Sequence, residues 1–249
     1  MPASRPGCGQ KLRFEGSPET KPLACVPGTT SVTKPTKFLF LVDQSGSNLN
    51  GPYEHPGQAT DAQKSIRYDA INEFFEKYSS KSTLQWGFVS FQGAGATSRI
   101  PAGFADKNAM KSALTDFLGS TDVDATPYRA ALRKAHDMIQ ADILASGGVE
   151  YLYRVAFLTD GYPTDYCNDP NNTYCPQEVN DSAVMADINS LIALSPEIQI
   201  STIYYGFPDA SASQRLANMA YVGKGQFVDA SLSRTIHLDD VIQVPVTCP

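Results

Sequence analysis

This sequence is short of basic residues, cysteines and long apolar runs, and each shortage excludes something. Lysine and arginine number 20 against 26 aspartates and glutamates, giving a formal charge of −6 and a pI near 5.0. With no basic run to offset that balance, no nucleic acid is expected as a partner. The apolar stretches are strand-sized, so no transmembrane segment is expected. The motifs Gly-x-Ser-x-Gly, Gly-x-x-x-x-Gly-Lys-Ser/Thr and Gly-x-Gly-x-x-Gly do not occur, which leaves hydrolase and nucleotide-binding readings without support. The five cysteines form no Cys-x-x-Cys pair, and no histidine gives them zinc-like spacing. What remains is 42% hydrophobic and 18% charged residues, with 17 prolines and 18 glycines scattered without period. Such a composition is globular rather than disordered, collagenous or coiled-coil. At 249 residues the chain is long enough to bury a real core.

The cysteines lie at the margins: Cys8 and Cys25 near the N-terminus, Cys167 and Cys175 in a polar stretch, Cys248 near the C-terminus. Structural disulfides in an oxidising compartment produce this distribution, so a secreted or cell-surface location is expected. Residues 1–35 read as a tether: Pro2, Pro6, Pro18, Pro22, Pro27 and Pro35 break any helix, and Thr29-Thr30-Ser31 adds a polar linker. Cys8-Gly9-Gln10 resembles the lipid-bearing start of a mature bacterial lipoprotein. That makes Cys8 a candidate lipid anchor on an outer membrane, although Arg5-Pro6-Gly7 is no lipobox and no signal peptide is present.

From Lys37 onward, strands and amphipathic helices alternate. Phe38–Val42 is a continuous apolar run, the mark of a strand buried on both faces, and Tyr151–Thr159, with Leu152, Val155, Ala156, Phe157 and Leu158, reads as a second strongly buried strand. Leu84–Phe91, Ile198–Tyr205 and a short stretch at Gln226–Val228 add further strands. Helices are expected over 66–78, after an Asp106 cap, from Thr126-Pro127 to Gly147-Gly148, and over about 178–193, 211–221 and 231–241. Strands separated by such helices imply an α/β, doubly wound, mostly parallel sheet covered on both faces. In such sheets ligands bind beyond the carboxyl ends of the strands, where strand order reverses.

The turns after the two most buried strands carry the chemistry. Asp43-Gln44-Ser45-Gly46-Ser47 follows the first, and Asp160-Gly161-Tyr162-Pro163-Thr164-Asp165 follows the other. Two carboxylates projecting into one crevice repel unless a cation or a shared proton joins them. With Ser45 and Ser47 they make an all-oxygen set suited to a hard divalent cation, Mg²⁺ first and Mn²⁺ or Ca²⁺ next. Gly46 is expected to allow a tight turn. Together with Thr126 in Ala-Thr-Pro-Tyr-Arg-Ala-Ala-Leu, these segments resemble the metal-ion-dependent adhesion site of a von Willebrand factor type A domain, over about residues 36–245. The resemblance implies one short antiparallel edge strand in the sheet. It also implies Ser45 and Ser47 as direct metal ligands, Asp43 and Asp160 as ligands directly or through water, and Thr126 as a ligand when a partner binds. An Asp or Glu of a partner protein would fill the remaining metal position.

Blander roles stand beside these. Thr126 also suits a helix N-cap, and Asp122, Asp124 and Asp165 read as solvated loop charges. Insertions at about 48–65 and 161–177 flank the proposed metal, the first without helical period. Tyr53, Tyr162, Tyr166 and Tyr174 would supply exposed contact surface, and a Cys167–Cys175 disulfide would stiffen the rim. In the inferred fold the chain ends approach each other, which pairs Cys25 with Cys248 and leaves Cys8 over. The expected function is a non-enzymatic adhesin or receptor module that binds a protein ligand through its metal. The alternatives are a pilus or surface-complex assembly component and, further off, an accessory subunit of a metal-dependent enzyme.

Overall fold

The first strand shows how the sequence builds the molecule. In β1 (Thr36–Asp43) every residue is buried, and alternate side chains enter two separate cores. Phe38, Phe40 and Val42 enter one with Trp86 and Phe88, while Leu39 and Leu41 enter the other with Val89 and Phe91. A strand buried on both faces must lie mid-sheet, and β1 does. The structure, a computed structural model, describes residues 34–168 and 178–244, all of one compact unit. Residues 1–33 of the proposed tether, with Cys8 and Cys25, the residues Tyr174, Cys175 and Cys248, and the 169–177 part of the second insertion lie outside the described residues.

After β1 come α1 (Ser47–Asn50), α2 (Ser65–Tyr78), β2 (Leu84–Gln92), β3 (Gly95–Ser98), α3 (Lys107–Gly119) and α4 (Tyr128–Ala145). Then follow β4 (Leu152–Thr159), α5 (Asp181–Ala193), β5 (Ile198–Tyr204), α6 (Ala210–Val222), β6 (Lys224–Asp229) and a 3₁₀ turn at Leu238–Asp240. The strands form one sheet in the order β3-β2-β1-β4-β5-β6, parallel except for the antiparallel edge strand β3. The expected α/β class is therefore what folds. Residues of α2, α3 and the segment 236–242 pack on one face, and those of α4, α5 and α6 on the other. Strand order reverses between β1 and β4, which sets the ends of these two strands side by side.

Several expectations change. The helix expected over 231–241 is not formed: Arg234 adopts a left-handed φ of 57°, and only the 3₁₀ turn is helical there. Apolar residues at 236, 238, 241 and 242 still enter the core, so the segment is held by burial without helical geometry. The 48–65 stretch contains the short helix α1 despite lacking a helical period. Pro127, expected at the first helical position, sits at the cap position of α4, and Thr126 makes no capping bond. That role falls to Asp165, whose two carboxylate oxygens accept from the backbone N–H groups of Arg129 (3.1 Å) and Ala130 (3.0 Å). Asp165 is thus a cap rather than a solvated loop charge. Asp122 is likewise buried and ion-paired, while Asp124 is exposed as expected. Asp106 caps α3 through Asn108 and Ala109, as read from the sequence.

Candidate metal centre

The turn that follows β1 is built around the Asp43 carboxylate. One of its oxygens accepts from the Ser45 backbone N–H at 2.8 Å, and the other from the Thr159 hydroxyl at 2.6 Å. Both bonds fix a side chain that is fully buried. Ser45 and Ser47 then share a hydrogen bond at 2.9 Å between their Oγ atoms. Ser47 also donates to Asp160 Oδ1 at 2.9 Å, joining the loop after β1 to the loop after β4. The second oxygen of Asp160 accepts from the Thr60 hydroxyl. Four of the five expected residues therefore form one hydrogen-bonded oxygen cluster, linked through Ser45 to Asp43.

Thr126 reaches the same place from a third loop. Its backbone N–H donates to Thr164 Oγ1 at 3.1 Å and its carbonyl accepts from Thr164 N–H at 3.0 Å, tying the loop before α4 to the one after β4. Its side-chain hydroxyl makes no hydrogen bond among the described residues. Ser47, Thr126 and Asp160 line one cavity of about 480 Å³ at the carboxyl end of the sheet. Gly46 serves close approach rather than a special turn: its φ is an ordinary −65°, but a Cβ there would meet the Asp124 backbone N at 3.1 Å.

The electrostatics favour a cation. Burial pushes the Asp43 carboxyl up, opposed by its bonds to Ser45 and Thr159. Burial also raises Asp160, with the neighbouring Asp43 charge adding to it, to about 7. Among the described residues no three His, Cys, Asp or Glu side chains gather in a way that could hold a metal. A metal here would rest instead on two carboxylates and serine or threonine hydroxyls. That donor set fits a hard divalent cation, whose charge would offset the burial that raises both acids and the Asp43 charge that further raises Asp160.

Sequence reasoning missed the frame behind this cluster. Arg67, wholly buried on α2, donates to the Asp43 carbonyl at 2.6 Å and pairs with Asp61 and Asp122 at 2.8 Å each. Asp61 in turn caps α2 by accepting from the N–H groups of Ile66 and Arg67. One signal was present: Arg67 falls on the apolar stripe with Ala70, Ile71 and Phe74. Thr60 is 100 residues from Asp160 and Thr159 is 116 from Asp43, and neither carried a local signature. The tyrosines also need correction. Tyr53 is exposed, but Tyr162 is partly buried with its hydroxyl on Asp209. Tyr166 is fully buried, its hydroxyl on Asp187 and its ring 4.3 Å from the Arg129 guanidinium.

Neither a protein-family profile nor a curated protein sequence matches this chain. Solved structures do. The pilus adhesin SpaC from Lactobacillus rhamnosus GG aligns with a TM-score of 0.57 at 15% identity, over 80% of this chain and 29% of that one. The vWF domain of the type V pili tip protein Mfa5 from Porphyromonas gingivalis aligns at 0.54 and 14%, over 84% and 94%. The SpRpn10 VWA domain aligns at 0.52 and 12%, over 78% and 87%. The fold is that of a von Willebrand factor type A-like domain. At these identities the likeness concerns the fold alone, and the chemistry of the site rests on the residues described above.

Proposed function

We propose that this chain is a non-enzymatic surface recognition module that binds a protein ligand through a divalent cation. The observation that carries the reading is the convergence of Asp43, Ser45, Ser47 and Asp160 in one oxygen cluster beside Thr126, at the point where strand order reverses. Ser45, Ser47 and Asp160 would hold the ion, Asp43 would orient the loop, and Thr126 would join when a partner docks. The bound cation supplies an electron-poor centre that accepts an Asp or Glu carboxylate of the partner. Mg²⁺ suits the hard oxygen set, with Mn²⁺ or Ca²⁺ as substitutes.

A surface setting is supported by two of the matched structures, a pilus adhesin and a pilus tip protein. Among the described residues no helix is long and apolar enough to cross a membrane; attachment through a lipid on Cys8 is a separate part of the proposal, resting on the Cys8-Gly9-Gln10 sequence alone. Cys167 is disulfide-bonded, which supports its pairing with Cys175 across the rim loop. Thermal unfolding with and without Mg²⁺ tests the metal reading. At 100 times its dissociation constant a bound ion stabilises by about 2.7 kcal/mol, or roughly 5–11 °C for a domain of this size. Ser47→Ala should lose most of that shift, and an equal shift in wild type and variant would remove the site.

A further inference from the structure

The 48–65 insertion sends one side chain into the metal cluster. Thr60 is 2% exposed, and its hydroxyl donates to Asp160 Oδ2. The hydroxyl also lies 3.3 Å from the Ser47 carbonyl, which accepts from the Thr60 backbone N–H at 3.4 Å. The position is held from two sides. Arg234 donates to the Thr60 carbonyl and, at 2.8 Å, to the Tyr205 carbonyl. It does so at a left-handed φ of 57°, a conformation that costs energy in a residue with a side chain and persists where the surroundings hold it. On the other side Asp61 is ion-paired with Arg67 at 2.8 Å, and its backbone N–H donates to the Asn48 carbonyl at 3.0 Å. A shift of Thr60 away from Asp160 would disturb both attachments.

The consequence is a limit on the carboxylate oxygens that the cluster can offer. Both oxygens of Asp43 already accept, one from the Ser45 N–H and one from the Thr159 hydroxyl. Thr60 engages Oδ2 of Asp160, which leaves Oδ1, 2.9 Å from Ser47 Oγ, on the side of the serines. Neither acid therefore keeps both oxygens for an ion. Ca²⁺ takes about 6–8 oxygens and often grips one carboxylate by both of its oxygens. Mg²⁺ is smaller, keeps several of its waters and is bound through one or two carboxylates. Resting on the metal reading above, we infer that Thr60 makes this site select Mg²⁺ over Ca²⁺ by holding Asp160 to a contact through one oxygen. Thr60 is then a positioning residue: it touches the acid, and the acid meets the ion. A ligand set this sparse also leaves coordination positions for water and for a partner's carboxylate.

The test titrates the full chain with MgCl₂ or CaCl₂ at one pH and constant ionic strength, reading each dissociation constant from the rise in Tm. Thr60→Ala removes the donor and its bulk, Thr60→Val removes the donor alone, and Thr60→Ser keeps the hydroxyl. Urea unfolding of each metal-free variant checks that it is folded. The wild type should bind Mg²⁺ at least about tenfold more tightly than Ca²⁺, a ratio that needs no variant. Thr60→Ala and Thr60→Val should each lower that ratio by at least about fivefold, and Thr60→Ser by less than about twofold. A merely structural role would weaken both ions alike and leave the ratio unmoved. Equal affinity for the two ions in the wild type, an unchanged ratio in folded Thr60→Ala or Thr60→Val, or a Thr60→Ser ratio that falls as far as theirs would each overturn the role of Thr60. No rise in Tm with either ion in the wild type would instead overturn the metal reading itself, and the role of Thr60 with it.

Discussion

Replacing Arg67 by methionine should be among the most damaging single changes in the molecule. The side chain is wholly buried, and it is held between Asp61 and Asp122, themselves 4% and 3% exposed. Methionine keeps much of the stem's packing but leaves two carboxylates without their guanidinium. Lys64 lies 3.6 Å from Asp122 and offsets part of one charge, whereas Asp61 keeps no ion-pair partner among the described residues. Removing one member of a buried pair costs about 3–5 kcal/mol, because the charge left behind stays desolvated. For a domain of this size that corresponds to a fall in Tm of roughly 6–20 °C. Urea unfolding of the metal-free protein measures it. The damage should also reach the metal loop, since the Asp43 carbonyl loses its donor. Adding Asp122→Asn should recover part of the loss by removing one orphaned charge. A loss under 1 kcal/mol, or no recovery in the double variant, would refute the view that this ion-paired frame supports the site.

Three further outcomes follow from the same structure. Thr126→Ala should abolish metal-dependent partner binding while changing unfolding free energy by less than about 0.5 kcal/mol, since the hydroxyl caps no helix. Paired binding and denaturation measurements separate the two effects. Asp165→Ala should lower stability by about 1 kcal/mol, because two N–H groups at the start of α4 lose their acceptor, and urea midpoints will show it. Asp160 titrates near 7 in the folded metal-free protein against an ordinary value of 3.8, so between these pH values the native state holds a proton that the unfolded state has released. Metal-free stability should therefore fall as pH rises from about 4 to about 7, and saturating Mg²⁺ should flatten or reverse that slope.

The sheet was legible where side-chain pattern and burial agree. The apolar runs of β1 and β4 could only be central strands, and the polar turns after them met as the reversal of strand order requires. β3 carried no such pattern: Gly95-Ala96-Thr97-Ser98 is half exposed and forms through backbone pairing to β2. The missing last helix shows the opposite failure. A helix was expected over 231–241, but a left-handed Arg234 does not permit it, and the apolar residues there are buried without helical geometry. At the site, the aspartates and serines stood in two short turn motifs and were visible. Thr60, Thr159 and Arg67 were not, because each acts on a residue far away in sequence. Tyr166 looked like a contact residue among polar neighbours, and only the fold shows it beneath Arg129 and bonded to Asp187.

The central claim is that the cluster between β1 and β4 holds a divalent cation. A crystal structure of the protein grown with Mn²⁺, with anomalous differences collected at a wavelength where manganese scatters, tests it most directly. The account predicts one strong peak bounded by Ser45 Oγ, Ser47 Oγ and the Asp160 carboxylate, lost when the crystals are soaked in EDTA. No peak there, or a peak on Glu54 and Asp209 instead, would contradict it.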